Sequence, residues 1–260
     1  MTLVLPRLYL NGFPKSGLHL AELMVGSIFQ QAFPDWNWYG TNAWNTEPKN
    51  LDKSAKLAII QPGSYLKGHS GYSEDIKNML IGLQIGMVFI YRDLRDVAVS
   101  QTYHILSDRE SLMHPAREYY AKDFNTVLKQ VISGINEYDG LLSRWKIFSP
   151  WMDKFWVLPV RYDEMLKRPE KAAGRFFDYF HRLAVTFAGK EEIKIDKDVK
   201  TRTVKRMVGK MRQRQSITFR KGKTGEWRYE FKKEHADLFK EHDTDNVLLK
   251  LGFEKNKDWH

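Results

Sequence analysis

No cysteine occurs among the 260 residues, which excludes disulfides, thiolate metal sites and thiol nucleophiles together. That absence fits a reducing compartment. No uninterrupted apolar run approaches the roughly 20 residues of a membrane span. The segment Met1–Arg7 is too short for a signal-peptide core and has no basic leader. A cytoplasmic location without a membrane partner is therefore expected. Acidic residues are missing from 199–225, a stretch holding Lys200, Arg202, Lys205, Arg206, Lys210, Arg212, Arg214, Arg220, Lys221 and Lys223. The remaining 32 Lys and Arg are matched by 32 Asp and Glu, so this stretch carries the whole net charge of +10.

A local positive field attracts a polyanion. An arbitrary basic run is most often a solvated helix face, and base stacking would call for interleaved aromatics, a pattern this run lacks. It leads directly into Arg220-Lys221-Gly222, which favours a small anionic cofactor over nucleic acid. Hydrophobic residues make up 42% and charged residues 28%, enough for one sizeable core.

Strand and helix patterns alternate along the chain. Arg7 to Phe13 reads as a strand and Ser16 to Gln30 as a helix with Leu20, Leu23, Met24 and Ile28 on one face. Residues 34–55, rich in Trp, Pro and Asn, read as a long loop, and Leu57–Ile60 as a buried strand ahead of Tyr65-Leu66-Lys67-Gly68-His69. Ser73 caps a helix to Gln84. Met87–Tyr91 is apolar throughout, as expected of a strand buried on both faces of a parallel sheet. Helices follow over 94–106, 115–137 and 140–148. Phe155–Val160 returns to strand character, with Pro159 marking an end or edge. Helices over 170–183, 198–214, 234–242 and 244–251 complete the chain. The alternation predicts a doubly wound α/β parallel sheet, with residues 1–260 forming a single domain.

Three segments carry phosphate-binding chemistry. Gly12-Phe13-Pro14-Lys15-Ser16-Gly17 lies between a strand and a helix, where helix-terminal amides face an anion. Its two glycines have Walker spacing, but Leu18-His19 stands where a P-loop places Lys and the magnesium-binding Ser or Thr. The loop is phosphate-competent without that metal ligand. Arg92 ends the apolar strand, and Ser100 follows eight residues later; an arginine fork and a hydroxyl suit one phosphate. The alternative makes Arg92-Asp93 and Arg95-Asp96 surface ion pairs. The third segment is Arg220-Lys221-Gly222-Lys223-Thr224-Gly225-Glu226-Trp227-Arg228.

In this order, the segments resemble those of the soluble sulfotransferases that use 3′-phosphoadenosine-5′-phosphosulfate (PAPS). Pro14-Lys15-Ser16-Gly17 matches the family loop, whereas Leu18, His19 and Leu20 replace Thr, Thr and Trp; His19 offers a replacement donor. The resemblance implies that Lys15, Ser16, Gly17, Leu18 and His19 hold the 5′ end of the cofactor. It gives the 3′-phosphate to Arg92, Ser100, Arg220, Lys221 and Gly222. Tyr162, in Tyr162-Asp163-Glu164-Met165, and Thr203 fall beside the adenine; Val204 stands where the family usually has a stacking Phe. Lys67-Gly68-His69 matches the strand-end Lys-x-His whose histidine is the catalytic base, and imidazole titrates near neutrality. Lys15 would neutralise the leaving group, and Ser100 would hold Lys15 away from the sulfate until the acceptor arrives.

The expected activity is transfer of a sulfuryl group from PAPS, without a metal, to a hydroxyl or amine of a small molecule, leaving adenosine 3′,5′-bisphosphate (PAP). Candidate acceptor-lining residues are Trp36–Trp44, Tyr72, Tyr103 and the 107–120 segment. The family's dimer motif is absent after Phe231. Two alternatives stay open on residues alone: a P-loop kinase-like phosphotransferase and a non-catalytic nucleotide or RNA-binding module.

Overall fold

β1 (Arg7–Gly12) is apolar and almost wholly buried, and it runs through a turn into α1 (Leu18–Ala32). β2 (Gly40–Ala43), β3 (Tyr65–Gly68), α2 (Glu74–Gly82) and β4 (Ile85–Tyr91) follow. Next come α3 (Leu94–Ile105), α4 (Phe124–Ser133), a hairpin of β5 (Gly134–Ile135) and β6 (Tyr138–Asp139), and α5 (Leu141–Phe148). A 3₁₀ turn (Ser149–Asp153) leads to β7 (Val157–Arg161), α6 (Tyr162–Lys167), α7 (Pro169–Phe187) and α8 (Lys197–Arg212). Three short helices close the chain: α9 (Trp227–Glu230), α10 (Lys233–His242) and α11 (Val247–Lys250). This is a computed structural model, and it describes residues 6–32, 40–43, 60–107, 119–136, 138–187, 197–212 and 222–259.

The chain divides into two compact units, residues 1–91 with 148–219 and residues 92–147 with 220–260. Among the described residues, the first unit holds a five-stranded parallel sheet in the order β2-β3-β1-β4-β7. From β1 the chain builds outward to β3 and β2 on one side and to β4 and β7 on the other. The loop leaving β1 is therefore at the switch point of the topology, where open α/β sheets bind ligands beyond the carboxyl ends of their strands. Leu8, Leu10, Val88, Ile90 and Val160 pack with Met24, Phe176, Phe180, Met207 and Met211 in one core. Full burial of such side chains contributes about 1.5–3 kcal/mol each. Tyr179 reaches this core with its hydroxyl, which accepts from the Met87 amide at 2.8 Å and lies 2.8 Å from the Trp156 carbonyl.

The second unit is mainly helical among its described residues: α3 packs on α4 and α9, and α4 on α10. Local signals set its boundaries. Asp123 caps α4 by accepting from the Thr126 amide at 2.9 Å, and Gly134, at φ 93°, ends it. The helix is thus shorter than the 115–137 pattern indicated. β2 falls in the stretch read as loop; it is an edge strand whose ladder with β3 comes from tertiary pairing rather than β-branched composition. Pro159 lies inside β7, opposite Phe89, on the sheet's other edge, where a missing donor is tolerated. Phe155 precedes the strand and is exposed. Leu57–Ile59 lie outside the described residues, and Ile60 is buried but not in a strand.

Two glycines sit inside helices of the first unit with open space around them: a Cβ at Gly174 or Gly209 would meet nothing within 4 Å. Gly174→Ala and Gly209→Ala should each raise stability by about 0.5–1 kcal/mol, since alanine loses less backbone entropy on helix formation. Urea unfolding of the two variants checks this; an unchanged or lowered midpoint would contradict it.

Candidate active site

In the first unit, the Phe13 amide donates to the Ile90 carbonyl at 3.0 Å, and the chain then turns with the Ser16 amide on the Phe13 carbonyl at 3.1 Å. Lys15 (φ 66°) and Gly17 (φ 92°) are left-handed, and α1 starts one residue later. Left-handed turns of this kind make anion-binding concavities from backbone N–H groups, and the first amides of a helix lack internal acceptors. A Cβ at Gly17 would lie 2.2 Å from the ring of Tyr162, so the loop needs glycine for both conformation and space. Tyr162, buried at the start of α6, is thereby brought to the loop. Ser16 is fully enclosed, and its hydroxyl has no hydrogen-bond partner among the described residues. Such an atom calls for an explanation, and a phosphate-type anion fits a loop with this donor set.

His69 follows the last residue of β3. Its Nδ1 lies 2.7 Å from the Gly12 carbonyl oxygen. A carbonyl only accepts, so Nδ1 carries the proton and the lone pair sits on Nε2. Burial lowers the imidazole pKa to about 4; the Gly12 bond opposes this, while the charges of His19, Lys15 and Lys67 add to it. The ring is therefore neutral across the physiological range.

Glu22 of α1 organises the flank. It receives Lys67 Nζ at 2.6 Å, the Tyr65 hydroxyl at 3.1 Å and His19 Nδ1 at 3.3 Å. Burial alone would raise its pKa, but the hydrogen bonds from His19, Lys67 and Tyr65 and the charge of Lys67 bring it down to about 2. His19, expected on the cofactor, thus faces a carboxylate. Thr203 is fully buried in α8 and donates to the Val199 carbonyl at 2.7 Å, which commits its proton to the helix.

In the second unit, Arg92 Nη2 donates to the Lys223 carbonyl at 2.8 Å and lies 3.4 Å from Asp96 Oδ2. Asp96 also accepts from the amides of Gly225 (2.8 Å) and Trp227 (3.2 Å). The second and third motifs meet on this buried carboxylate, beside Gly222 at φ 59°. Ser100, two turns into α3, is half-buried. Arg95 is fully buried between Trp227 (3.6 Å) and Trp259 (4.5 Å), and it pairs with Asp93 at 2.7 Å and Glu254 at 2.6 Å. The ion pairs of this segment are therefore crossed and buried, not the surface pairs of the alternative reading. Arg220 and Lys221 lie outside the described residues, as do the acceptor-lining candidates at 36–39, 44 and 108–118. Tyr103 donates to Glu230 at 2.7 Å, and Tyr72 is hydrogen-bonded to Glu74.

Sequence reasoning missed Asn11, Ser70 and Glu22. Glu22 carried a signal, standing one helical turn beyond His19; Asn11 and Ser70, a polar residue in an apolar strand and a serine in a loop, become meaningful only through the sheet register. Among the described residues no cluster of three or more His, Asp or Glu is placed to hold a metal ion, and no helix is long and apolar enough to cross a membrane.

The lowered His69 pKa has a measurable consequence. With an ordinary value of 6.5 in the unfolded chain and about 4 in the fold, the unfolded state takes up the proton first, so this group's contribution to stability falls as pH drops from about 6.5 to about 4. NMR titration of the His69 ring in the ligand-free protein should give a midpoint near 4; titration near 6.5 would contradict the assigned environment.

No curated protein sequence matches the chain. Among solved structures, mouse sulfotransferase SULT7A1 complexed with PAP superposes with a TM-score of 0.66 at 17% identity, covering 93% of this chain and 84% of that one. Retinol dehydratase with retinol and PAP gives 0.58 at 17%, covering 100% and 84%. The same enzyme with androsterone and PAP gives 0.55 at 16%, covering 99% and 84%. At these identities the likeness establishes the fold. The sequence profile of the sulfotransferase domain matches residues 5–248, and the chain belongs to the sulfotransferase domain family.

Proposed function

We propose that the protein transfers a sulfuryl group from PAPS to a hydroxyl or amine of a small-molecule acceptor, with His69 as general base. The observation that carries this reading is the 2.7 Å bond from His69 Nδ1 to Gly12, which ties a neutral imidazole to the start of an anion-binding loop. When bound, PAPS supplies an activated sulfuryl group, which passes to the acceptor oxygen or nitrogen as PAP departs. The PAP in the mouse sulfotransferase and retinol dehydratase structures supports that donor, and the androsterone and retinol in the latter support a small alcohol as acceptor.

Lys15, the enclosed Ser16 hydroxyl and the amides of Gly17 and Leu18 hold the 5′ end of the donor. Arg92, Ser100, Arg220, Lys221 and Gly222 hold the 3′-phosphate, and Tyr162 lies at the adenine. His19 and Thr203 enter this reading with side chains already engaged, on Glu22 and Val199. His69 Nε2 accepts the acceptor's proton as its oxygen or nitrogen attacks; positioned bases of this kind supply roughly 10²–10⁴ in rate. Lys15 stabilises the charge that develops on the departing phosphate, a contribution that preorganised donors make without reorganising. Because the Nδ1 proton is fixed on Gly12, the ring needs no tautomer change before it acts.

PAP should raise the melting temperature without added metal, since ligand binding to the native state opposes unfolding. ATP should do much less, lacking the 3′-phosphate. Equal protection by ATP, or a strict magnesium requirement, would favour the kinase-like alternative. His69→Ala should lower turnover by roughly 10²-fold or more with PAP affinity unchanged. Lys15→Ala should harm both. Near-normal turnover by His69→Ala on a verified acceptor would overturn the base assignment.

A further inference from the structure

The ladder between β1 and β3 ends at the pair Asn11↔Gly68. Beyond it the Asn11 side chain continues the pairing. Its Nδ2 donates to the Ser70 carbonyl at 2.9 Å, and its Oδ1 accepts from the Ser70 amide at 2.8 Å and from the Gly12 amide at 2.9 Å. The carboxamide thus acts as one more strand residue, with both polar groups used and its orientation fixed by the partners. Ser70 is held further by Trp151 Nε1, which donates to the same carbonyl at 3.0 Å, and by a hydrogen bond between its hydroxyl and that of Tyr9. Asn11, Tyr9, Ser70 and Trp151 are all essentially buried.

His69 sits between these two fixed points. On one side Gly68 is in the sheet; on the other, Ser70 is gripped through its amide, carbonyl and hydroxyl. The His69 ring turns back onto the carbonyl of Gly12, whose own amide is held by Asn11. One side chain therefore restrains both the residue that follows the imidazole and the residue whose carbonyl accepts its hydrogen bond.

Resting on the assignment of His69 as base, we infer that Asn11 is a positioning residue for the reaction, holding the His69 backbone and the Gly12 carbonyl so that the ring stays in its Nδ1–H form with Nε2 as the base. It touches neither donor nor acceptor. A strand-end residue at this position needs only to pair through its backbone; alanine would preserve the ladder and lose all three side-chain bonds.

The test uses Asn11→Ala, with ¹⁵N NMR of the His69 ring in the ligand-free protein, turnover, and calorimetry with PAP. The ring should lose its exclusive Nδ1–H tautomer. Turnover should fall roughly 10²-fold, the cost typical of a small misplacement, while PAP affinity stays within about twofold. Where Asn11→Ala does not fold, Asn11→Asp keeps the oxygen that accepts from Gly12 and Ser70 but sets a second acceptor oxygen against the Ser70 carbonyl; it should also give a fall in turnover with a mixed tautomer. An unchanged tautomer and full turnover in a folded variant overturn the inference, as does a parallel loss of PAP affinity, which would make Asn11 merely structural. If His69→Ala retains turnover, the base assignment fails by itself, and the ring spectra still decide whether Asn11 holds the imidazole.

Discussion

A single hydrogen bond, from the imidazole of His69 to the carbonyl of Gly12, links the two places in the first unit where chemistry-bearing chain leaves the sheet. It exists because β1 and β3 are parallel and in a register that sets Asn11 against Gly68, so the loop of Lys15 and the histidine emerge side by side at the carboxyl edge. Parallel pairing is what permits this: antiparallel neighbours would send their exits to opposite ends. A one-residue slip would turn every β3 side chain to the other face. The bond also selects the imidazole tautomer, while burial and the nearby cations, against the bond's own pull, keep the ring neutral. Strand pairing and imidazole tautomer thus meet in the same contact.

Charge in the molecule follows a second rule: cations are positioned by carboxylates, partly buried at Glu22 and buried at Asp96. Glu22 gathers Lys67, Tyr65 and His19, and Asp96 gathers Arg92 with the Gly225 and Trp227 amides. Arg95, stacked between two tryptophans, draws Glu254 and Trp259 of the terminal segment toward the Gly222–Trp227 stretch. Breaking a buried pair by removing one partner leaves an uncompensated charge and costs about 3–5 kcal/mol, which makes the buried Asp96 an unforgiving anchor.

How far the sequence reached depended on whether a signal was local. The apolar run of β4, the Ser73 cap of α2 and the strand-turn-helix around Lys15 were readable because neighbouring residues determine them. β2, with the sequence Gly-Thr-Asn-Ala, has no strand signature and exists through its ladder with β3. The motif residues Lys15, His69, Arg92 and Tyr162 are singled out by their order along the chain, but the contacts of Asn11, Glu22 and Asp96 depend on partners 59, 45 and 129 positions away. In the sequence the basic run favours a small anionic cofactor because it leads into Arg220-Lys221-Gly222. In α8, however, Arg202, Lys205, Arg206 and Lys210 are exposed, and Lys200 is paired with Asp178 at 2.5 Å. That helix behaves as the solvated face that composition alone would favour, and the case for anion binding rests on the residues after it.

The claim on which the account turns is that the Gly12–Gly17 loop and the Arg92 motif recognise the two phosphates of one nucleotide. A crystal structure of the protein soaked with PAP tests it directly. The account predicts the 5′-phosphate on the amides of Gly17 and Leu18 with the Ser16 hydroxyl as a donor, and the 3′-phosphate on Arg92. A nucleotide bound elsewhere, or one whose 3′-phosphate makes no contact with Arg92, would contradict it.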